Sequence, residues 1–243
     1  MNTLYTKSEH KTWELLLSRR MQNLNNEACG MYLEGLKNLK LPLTYIPSHE
    51  ELNHSIQQYT DWQLVPTTAL ITSVEYFRML ANGQFPAITS IRPREEIDFY
   101  TSPKPDVVHE YFGHGPYLTN SDFTQFMQKL AELAIKYSSR QQVLLGRLFW
   151  YTIEFGLIKT SQGLRAYGAG ILPSKTETWH ALHDPDVERK AFNLLDILRT
   201  PFSAVKKQRI YYIIPDFDLL YSVLEEDLSD VLAQAQEMGN QLN

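Results

Sequence analysis

Asp106-Val107-Val108-His109-Glu110-Tyr111-Phe112-Gly113-His114 is the stretch on which the reading of this chain turns. It carries two histidines five residues apart with an acid beside the first. A third group comes from Glu154, far downstream in the apolar run Phe149-Trp150-Tyr151-Thr152-Ile153-Glu154-Phe155. Burying a lone carboxylate there is costly, and a metal ion removes that cost. Two imidazoles and one carboxylate, with no cysteine nearby, suit iron(II) or zinc and leave coordination positions open for chemistry. The spacing is awkward, because on an ideal α-helix residues five apart point about 140° away from each other. Gly113 is therefore expected to end or bend the helix and swing His114 round. The competing reading has both histidines capping and packing, with Glu154 paired to Arg147 or Arg165. Glu110 is open to three roles: a base activating water beside a metal, an acid steering a cofactor or dioxygen, or a solvated helix residue.

Working outward, the chain reads as mainly α with minor β strands. Thr6 and Glu9 form a capping box, followed by Trp13, Leu16, Leu17, Met21 and Leu24 at helical spacing. Asn25-Asn26 reads as a turn before a second helix with Ala28, Cys29, Tyr32, Leu33 and Leu36. Ser48 and Glu51 open a third, Trp62 to Ile71 reads as loop with a short strand, and Ser73 to Leu80 as a short helix. Phe85 to Phe99, with Arg-Pro-Arg-Glu-Glu at its centre, is poor strand material. From Asp106 the helical pattern returns, with one stripe through Phe123, Phe126, Met127, Leu130 and Leu133 and another through Val143, Leu144, Leu148, Tyr151 and Phe155. Asp184 and Pro185 open a helix through Leu198, Ile210 to Ile214 is the clearest strand, and a last helix runs from Phe217 to Met238. Tyr167 to Gly170 is a tight passage where a ligand can approach. His10, His49, His54, His180 and His183 read as surface residues.

The 243 residues are 43% hydrophobic and 21% charged, with a net charge of −5 and no basic block, which favours a small-molecule partner over nucleic acid. Cys29 is the only cysteine, so no internal disulfide forms, and a reducing cytoplasm is the expected location. No run of apolar residues is long enough to span a membrane, and the first residues lack the apolar core of a signal peptide.

Three ordered blocks carry a resemblance: His109-Glu110-Tyr111-Phe112-Gly113-His114-Gly115-Pro116, then Trp150-Tyr151-Thr152-Ile153-Glu154-Phe155-Gly156-Leu157, then Ala166-Tyr167-Gly168-Ala169-Gly170. Blocks and spacing together resemble the pterin-dependent aromatic amino acid hydroxylases. The resemblance runs from about Tyr5 to Met238, with Ile46-Pro47, Trp62-Gln63 and Thr200-Pro201 as weaker markers, and the chain is most similar to the short bacterial phenylalanine 4-hydroxylases. It implies a single catalytic domain over residues 1–243, without a regulatory domain or an oligomerisation tail. It also implies iron(II) held by His109, His114 and Glu154, tetrahydrobiopterin or a related tetrahydropterin, and dioxygen as co-substrate. Glu110 matches the family's acid beside the pterin, which ranks that role above a peptidase base. The pterin pocket would use the backbone of Leu70, Ile71, Thr72 and Ser73, with Tyr76 as the stacking ring and Phe77 as its alternative.

For the substrate, the resemblance implies an arginine held by an aspartate and gripping the amino acid carboxylate. Asp106 matches the aspartate; Arg92 is the expected arginine and Arg94 its competitor. Trp150 and Phe155 would line the ring pocket, Gly170 would let the backbone approach, and Ser174 keeps the second of two serines common in relatives. Pro173 replaces the first, which removes a hydroxyl near the iron ligands. Trp150, together with the lack of an acid near Ser203 and Ala204, favours L-phenylalanine over tryptophan and tyrosine. A tryptophan or broad aromatic hydroxylase, a zinc peptidase and a non-catalytic metabolite sensor are the competing readings. Monomer and dimer stay open, and pterin-recycling enzymes are the functional neighbours this chemistry implies.

Overall fold

The computed structural model describes residues 4–93 and 105–240. Side-chain caps set most helix starts. Thr6 and Glu9 cap each other's backbone at the start of α1 (Lys7–Met21), and Ser48 accepts the Glu51 amide at the start of the helix His49–Ile56. Between these lie α2 (Leu24–Glu27) and α3 (Gly30–Leu39), with His49–Ile56 as α4. Asn25 and Asn26 are thus helical rather than a turn, and the break falls at Ala28, which bridges to Ala166.

Next comes a β-α-β unit: β1 (Gln63–Thr67), α5 (Ser73–Ala81) and β2 (Gln84–Ile88). The two strands pair in parallel from Gln63↔Gln84 to Thr67↔Ile88. The strand at 84–88 corrects the expectation that the region from Phe85 has no strand. Pro86 is tolerated because a two-stranded ribbon has only edge strands, where a missing N–H need not break a ladder. Then follow α6 (Ser121–Lys136), α7 (Ser139–Phe149), β3 (Leu157–Thr160), β4 (Gly163–Ala166) and α8 (Lys175–His183). The remainder is β5 (Glu188–Ala191), α9 (Leu194–Arg199), β6 (Ile210–Ile214), α10 (Phe217–Val223) and α11 (Ser229–Met238). A four-stranded sheet has the order β4-β3-β6-β5, with β3 and β4 antiparallel and the other pairings parallel. The helix expected from Asp184 to Leu198 is therefore a strand and a short helix. Glu188 to Ala191 pairs along Ile210 to Ile213, and sheet pairing overrides a weak local helical pattern. The last helix is likewise two, broken between Val223 and Ser229.

Trp13, Leu17, Tyr32, Phe123, Leu130 and Leu148 sit in the core without exposure. Two surface expectations fail here. His10 is buried and its Nδ1 accepts the Ile46 amide at 3.0 Å, and His180 is buried between Asp184 and the Gln208 carbonyl.

Glycines fix the closest backbone approaches. A Cβ on Gly35 would lie 2.2 Å from the Pro116 carbonyl oxygen, so α3 packs directly on the 3-10 turn Gly115–Thr119. Residues 167–170 zip onto 153–156: Ala169 N donates to Ile153 O and Gly170 N to Glu154 O, both at 2.8 Å. A Cβ on Gly168 would stand 2.3 Å from Glu154 O and 2.7 Å from Gly156 N. Backbone on both sides cannot give way, so Gly168→Ala is expected to destabilise by about 1–3 kcal/mol. Gly30→Ala, where nothing lies within 4 Å, should stay within about 1 kcal/mol of the parent in the same urea-unfolding measurement.

Candidate metal centre and active-site cavity

His109 and His114 converge because the backbone between them is not α-helical. Val108–His114 is a π-helix, closed by the Gly115 amide donating to the Glu110 carbonyl. Hydrogen bonds between residues five apart widen the turn beyond the 3.6 residues of an α-helix, which brings residue i+5 round to the side of residue i and so lets histidines five apart converge. This corrects the role expected of Gly113. It does not bend the helix; it lets the turn press against residues 169–173, since a Cβ there would lie 2.6 Å from Ala169 O and 3.1 Å from Pro173 Cγ. The Glu154 segment repeats the device. Trp150–Glu154 is a π-helical continuation of α7, with Phe155 N donating to Trp150 O at 2.8 Å.

The two histidine Nε2 atoms are 3.1 Å apart. Glu154 Oε1 lies 3.2 Å from His114 Nε2, and Glu154 Oε2 lies 3.6 Å from His109 Nε2. Donors about 2.1 Å from one ion and at right angles to each other are about 3 Å apart, so these three fit one face of an octahedral site. Among the described residues this is the one cluster with three such donors within 4.8 Å of one another. The competing pairings for Glu154 are not made: Arg147 donates to Leu198 O and Asn240, and Arg165 to Leu164 O. Burial pushes His109 down to about 4, against the pull of the Glu154 carboxylate, so its imidazole is neutral at pH 7 and offers a lone pair. For Glu154 the largest single influence, burial, acts upward, but His114 and His109 together outweigh it and the net shift is downward. The Phe85 ring lies 4.6 Å from the His114 ring and backs it.

The donors open on a cavity of about 460 Å³. Leu70, Ile71, Ser73, Tyr76 and Phe77 line it together with Glu110, next to His109, and Trp150. Glu110 is buried and held well above the ordinary carboxylate range, first by burial and then by Glu154 and Asp106. Asp106 grips Arg92 bidentately, accepting from Nε at 2.7 Å and Nη2 at 2.8 Å, and also accepts the Arg92 amide at 3.0 Å. It further accepts the His109 amide at 3.1 Å, so one carboxylate ties the guanidinium to the metal turn. Arg94 lies outside the described residues.

Of the six residues expected at the substrate only Trp150 lines this cavity; Arg92 and Asp106 pair with each other outside its lining, and Phe155, Gly170 and Ser174 do not reach it. Phe155 is buried behind Trp150, with ring centroids 4.6 Å apart, and Gly170 packs against the Phe155 ring. Ser174 caps α8, accepting the Glu177 amide at 3.1 Å.

Other wall residues escaped sequence reasoning. Gln142, Gly146 and Phe149 come from α7 and Phe202 from the connection between α9 and β6, while Val143, expected in the core stripe, is exposed and lines the cavity instead. The α7 residues recur at spacings of three and four on a second face of the helix, a signal hidden beneath the stronger core stripe. Phe202 stacks on Trp150 at 4.2 Å and 12°, a contact no local pattern announces.

Residues 2–231 match the model of the biopterin-dependent aromatic amino acid hydroxylase family. The phenylalanine-4-hydroxylase of Pseudomonas aeruginosa is 40% identical over 97% of this chain and 88% of its own length. That of Vibrio cholerae is 36% identical over 97% of this chain and 81% of its own. The cold-active phenylalanine hydroxylase of Colwellia psychrerythraea superposes with a TM-score of 0.92 at 39% identity, covering 98% of this chain and 91% of that one. An iron- and phenylalanine-bound phenylalanine hydroxylase from Chromobacterium violaceum does so with a TM-score of 0.91 at 33% identity, over 98% and 86%. The chain belongs to the biopterin-dependent aromatic amino acid hydroxylase family.

Proposed function

We propose that this protein is a phenylalanine 4-monooxygenase that converts L-phenylalanine to L-tyrosine with iron(II), a tetrahydropterin and dioxygen. The observation that carries the reading is the grouping of His109, His114 and Glu154 on a cavity lined largely by apolar and aromatic side chains, with Glu110 beside the histidines. Iron(II) and the tetrahydropterin, when bound, supply the electrons that split dioxygen, one oxygen atom going to the ring and the other ending as water.

The chain's own residues then do four things. His109, His114 and Glu154 hold the metal on one side and leave the cavity side for reactants. The wall of Leu70, Ile71, Ser73 and Tyr76 takes the flat pterin, with Tyr76 or Phe77 against its face. Glu110, whose carboxyl burial holds above the ordinary range, is the acid group on the wall beside it. Arg92, aligned by Asp106, takes the substrate carboxylate through its planar fork, which fixes which ring edge meets the metal.

The ring itself needs an apolar slot, which Trp150 and Phe202 provide. With no acid at Ser203 or Ala204, no carboxylate there favours a ring that already carries a hydroxyl. Phe155 supports Trp150 from behind, Gly170 supports Phe155, and Ser174 holds the start of α8. A cytoplasmic setting fits a chain in which no helix among the described residues is long and apolar enough to cross a membrane. Oxidised pterin must be reduced between turnovers, so a pterin reductase is the expected functional neighbour.

Tyrosine should form from phenylalanine only when iron(II), tetrahydropterin and oxygen are all present, as read by oxygen uptake and product chromatography. Hydroxylation of tryptophan in place of phenylalanine would overturn the substrate assignment. Glu154→Ala is expected to lower iron affinity at least about tenfold and abolish turnover, and retained iron in metal analysis would remove Glu154 from the ligand set. Arg92→Lys keeps the charge but loses the fork, so KM for phenylalanine should rise by about 10- to 100-fold with iron content unchanged.

A further inference from the structure

Gln208, in the connection between α9 and β6, is a buried polar side chain with no part in holding metal or cofactor. Both of its amide hydrogens and its oxygen are engaged. Nε2 donates to the carbonyls of Ser203 at 3.0 Å and Lys206 at 3.2 Å, and Oε1 accepts the indole Nε1–H of Trp150 at 3.0 Å. The first two bonds fold residues 203–208 around the carboxamide; the third ties that folded loop to the wall of the cavity. Its backbone carbonyl lies 2.8 Å from His180 Nε2, whose other ring nitrogen is 2.7 Å from Asp184, so α8 braces the loop from outside. The foot of the loop is fixed as well, by Tyr151 Oη donating to Pro201 O at 3.0 Å.

The consequence for the cavity is direct. Phe202 is 41% exposed and has no apolar packing deep enough to hold it by itself. It stacks on Trp150, and the Trp150 indole is held between the Phe155 ring behind it and the Gln208 carboxamide that accepts its N–H. The aromatic slot is thus one unit of Trp150, Phe202 and Gln208, with Gln208 as the member that touches no reactant. We infer that Gln208 is a positioning residue for ring selection, setting the width of the slot by locking the Trp150 indole to the Phe202 loop. The inference rests on the reading of Trp150 and Phe202 as the substrate wall.

The test compares metal-loaded parent, Gln208→Met, Gln208→Glu and Trp150→Phe, with phenylalanine and tryptophan as competing substrates. Iron content, thermal unfolding and phenylalanine binding by calorimetry are measured alongside. Gln208→Met fills the same volume without hydrogen bonds. It should weaken phenylalanine binding and raise KM about tenfold, with kcat changed less than about threefold, and should narrow the preference for phenylalanine over tryptophan. Gln208→Glu keeps an acceptor for the indole and should retain most of that preference, even where the loop is less stable. A folded, iron-loaded Gln208→Met with unchanged KM and unchanged preference would overturn the inference, as would equal loss of preference in Gln208→Met and Gln208→Glu. Should Gln208→Met not fold, the retained or lost preference of Gln208→Glu decides the matter. Unchanged preference in Trp150→Phe would instead sink the substrate-wall reading beneath it, so the two failures are distinguishable.

Discussion

The structure depends on two widened helical turns. A histidine pair at α-helical spacing of four would need no special backbone, but this pair is five apart and converges only where hydrogen bonds also span five residues. The second turn, at Trp150–Glu154, brings the carboxylate to the same point from the end of α7. A π-turn is wider and less tightly bonded than an α-turn, so it persists only where its surroundings leave no alternative. Here the surroundings are backbone. Gly113 lets the first turn press on Ala169, and Gly156 and Gly168 let residues 167–170 lie against the second. The glycine-rich passage, read from sequence as a place for a ligand to approach, is first of all the clamp that holds both ligand-bearing turns together.

Asp106 extends that constraint to Arg92, the proposed anchor of the substrate carboxylate. Its carboxylate caps the start of the histidine turn through the His109 amide and fixes the Arg92 guanidinium through two further bonds. Any shift of the metal turn therefore moves the carboxylate anchor with it. Coupling of this kind suits an oxygenase, since the ring must meet the metal at a fixed distance and a misplacement of about 1 Å costs about a hundredfold in rate.

How much of this was legible in the residues follows from what each feature depends on. His109, His114 and Glu154 were legible as a set that could hold a metal because their chemistry is borne by the residue types, and the family blocks around them are long and ordered. The mainly helical character was legible from periodicity. What periodicity could not deliver was the strand at Gln84–Ile88 or the strand within 184–198, because each exists through its pairing partner and not through its own composition. The burial of His10 and His180 was invisible for the same reason: each is satisfied by a backbone or acid group brought to it by the fold. The π-turn was half legible. The spacing announced a departure from the α-helix, and the identity of the departure needed the hydrogen bonds.

The two sides of the cavity are held in different ways, and this bears on where such an enzyme can change. The metal side rests on backbone against backbone, where even a methyl group on Gly168 or Gly113 meets a carbonyl oxygen inside contact distance. Substitution there carries a steric cost that no flexible side chain can absorb. The ring side rests on stacked aromatics and one carboxamide in a loop, with Phe202 half open to solvent. Exchanging Phe202 or Gln208 costs a hydrogen bond or a stacking contact, about 1 kcal/mol each, outside both π-turns, whereas Trp150 itself opens the turn that carries Glu154. The proposed assignment therefore puts oxygen chemistry on the rigid half of the site and the choice of ring on the half held by side chains.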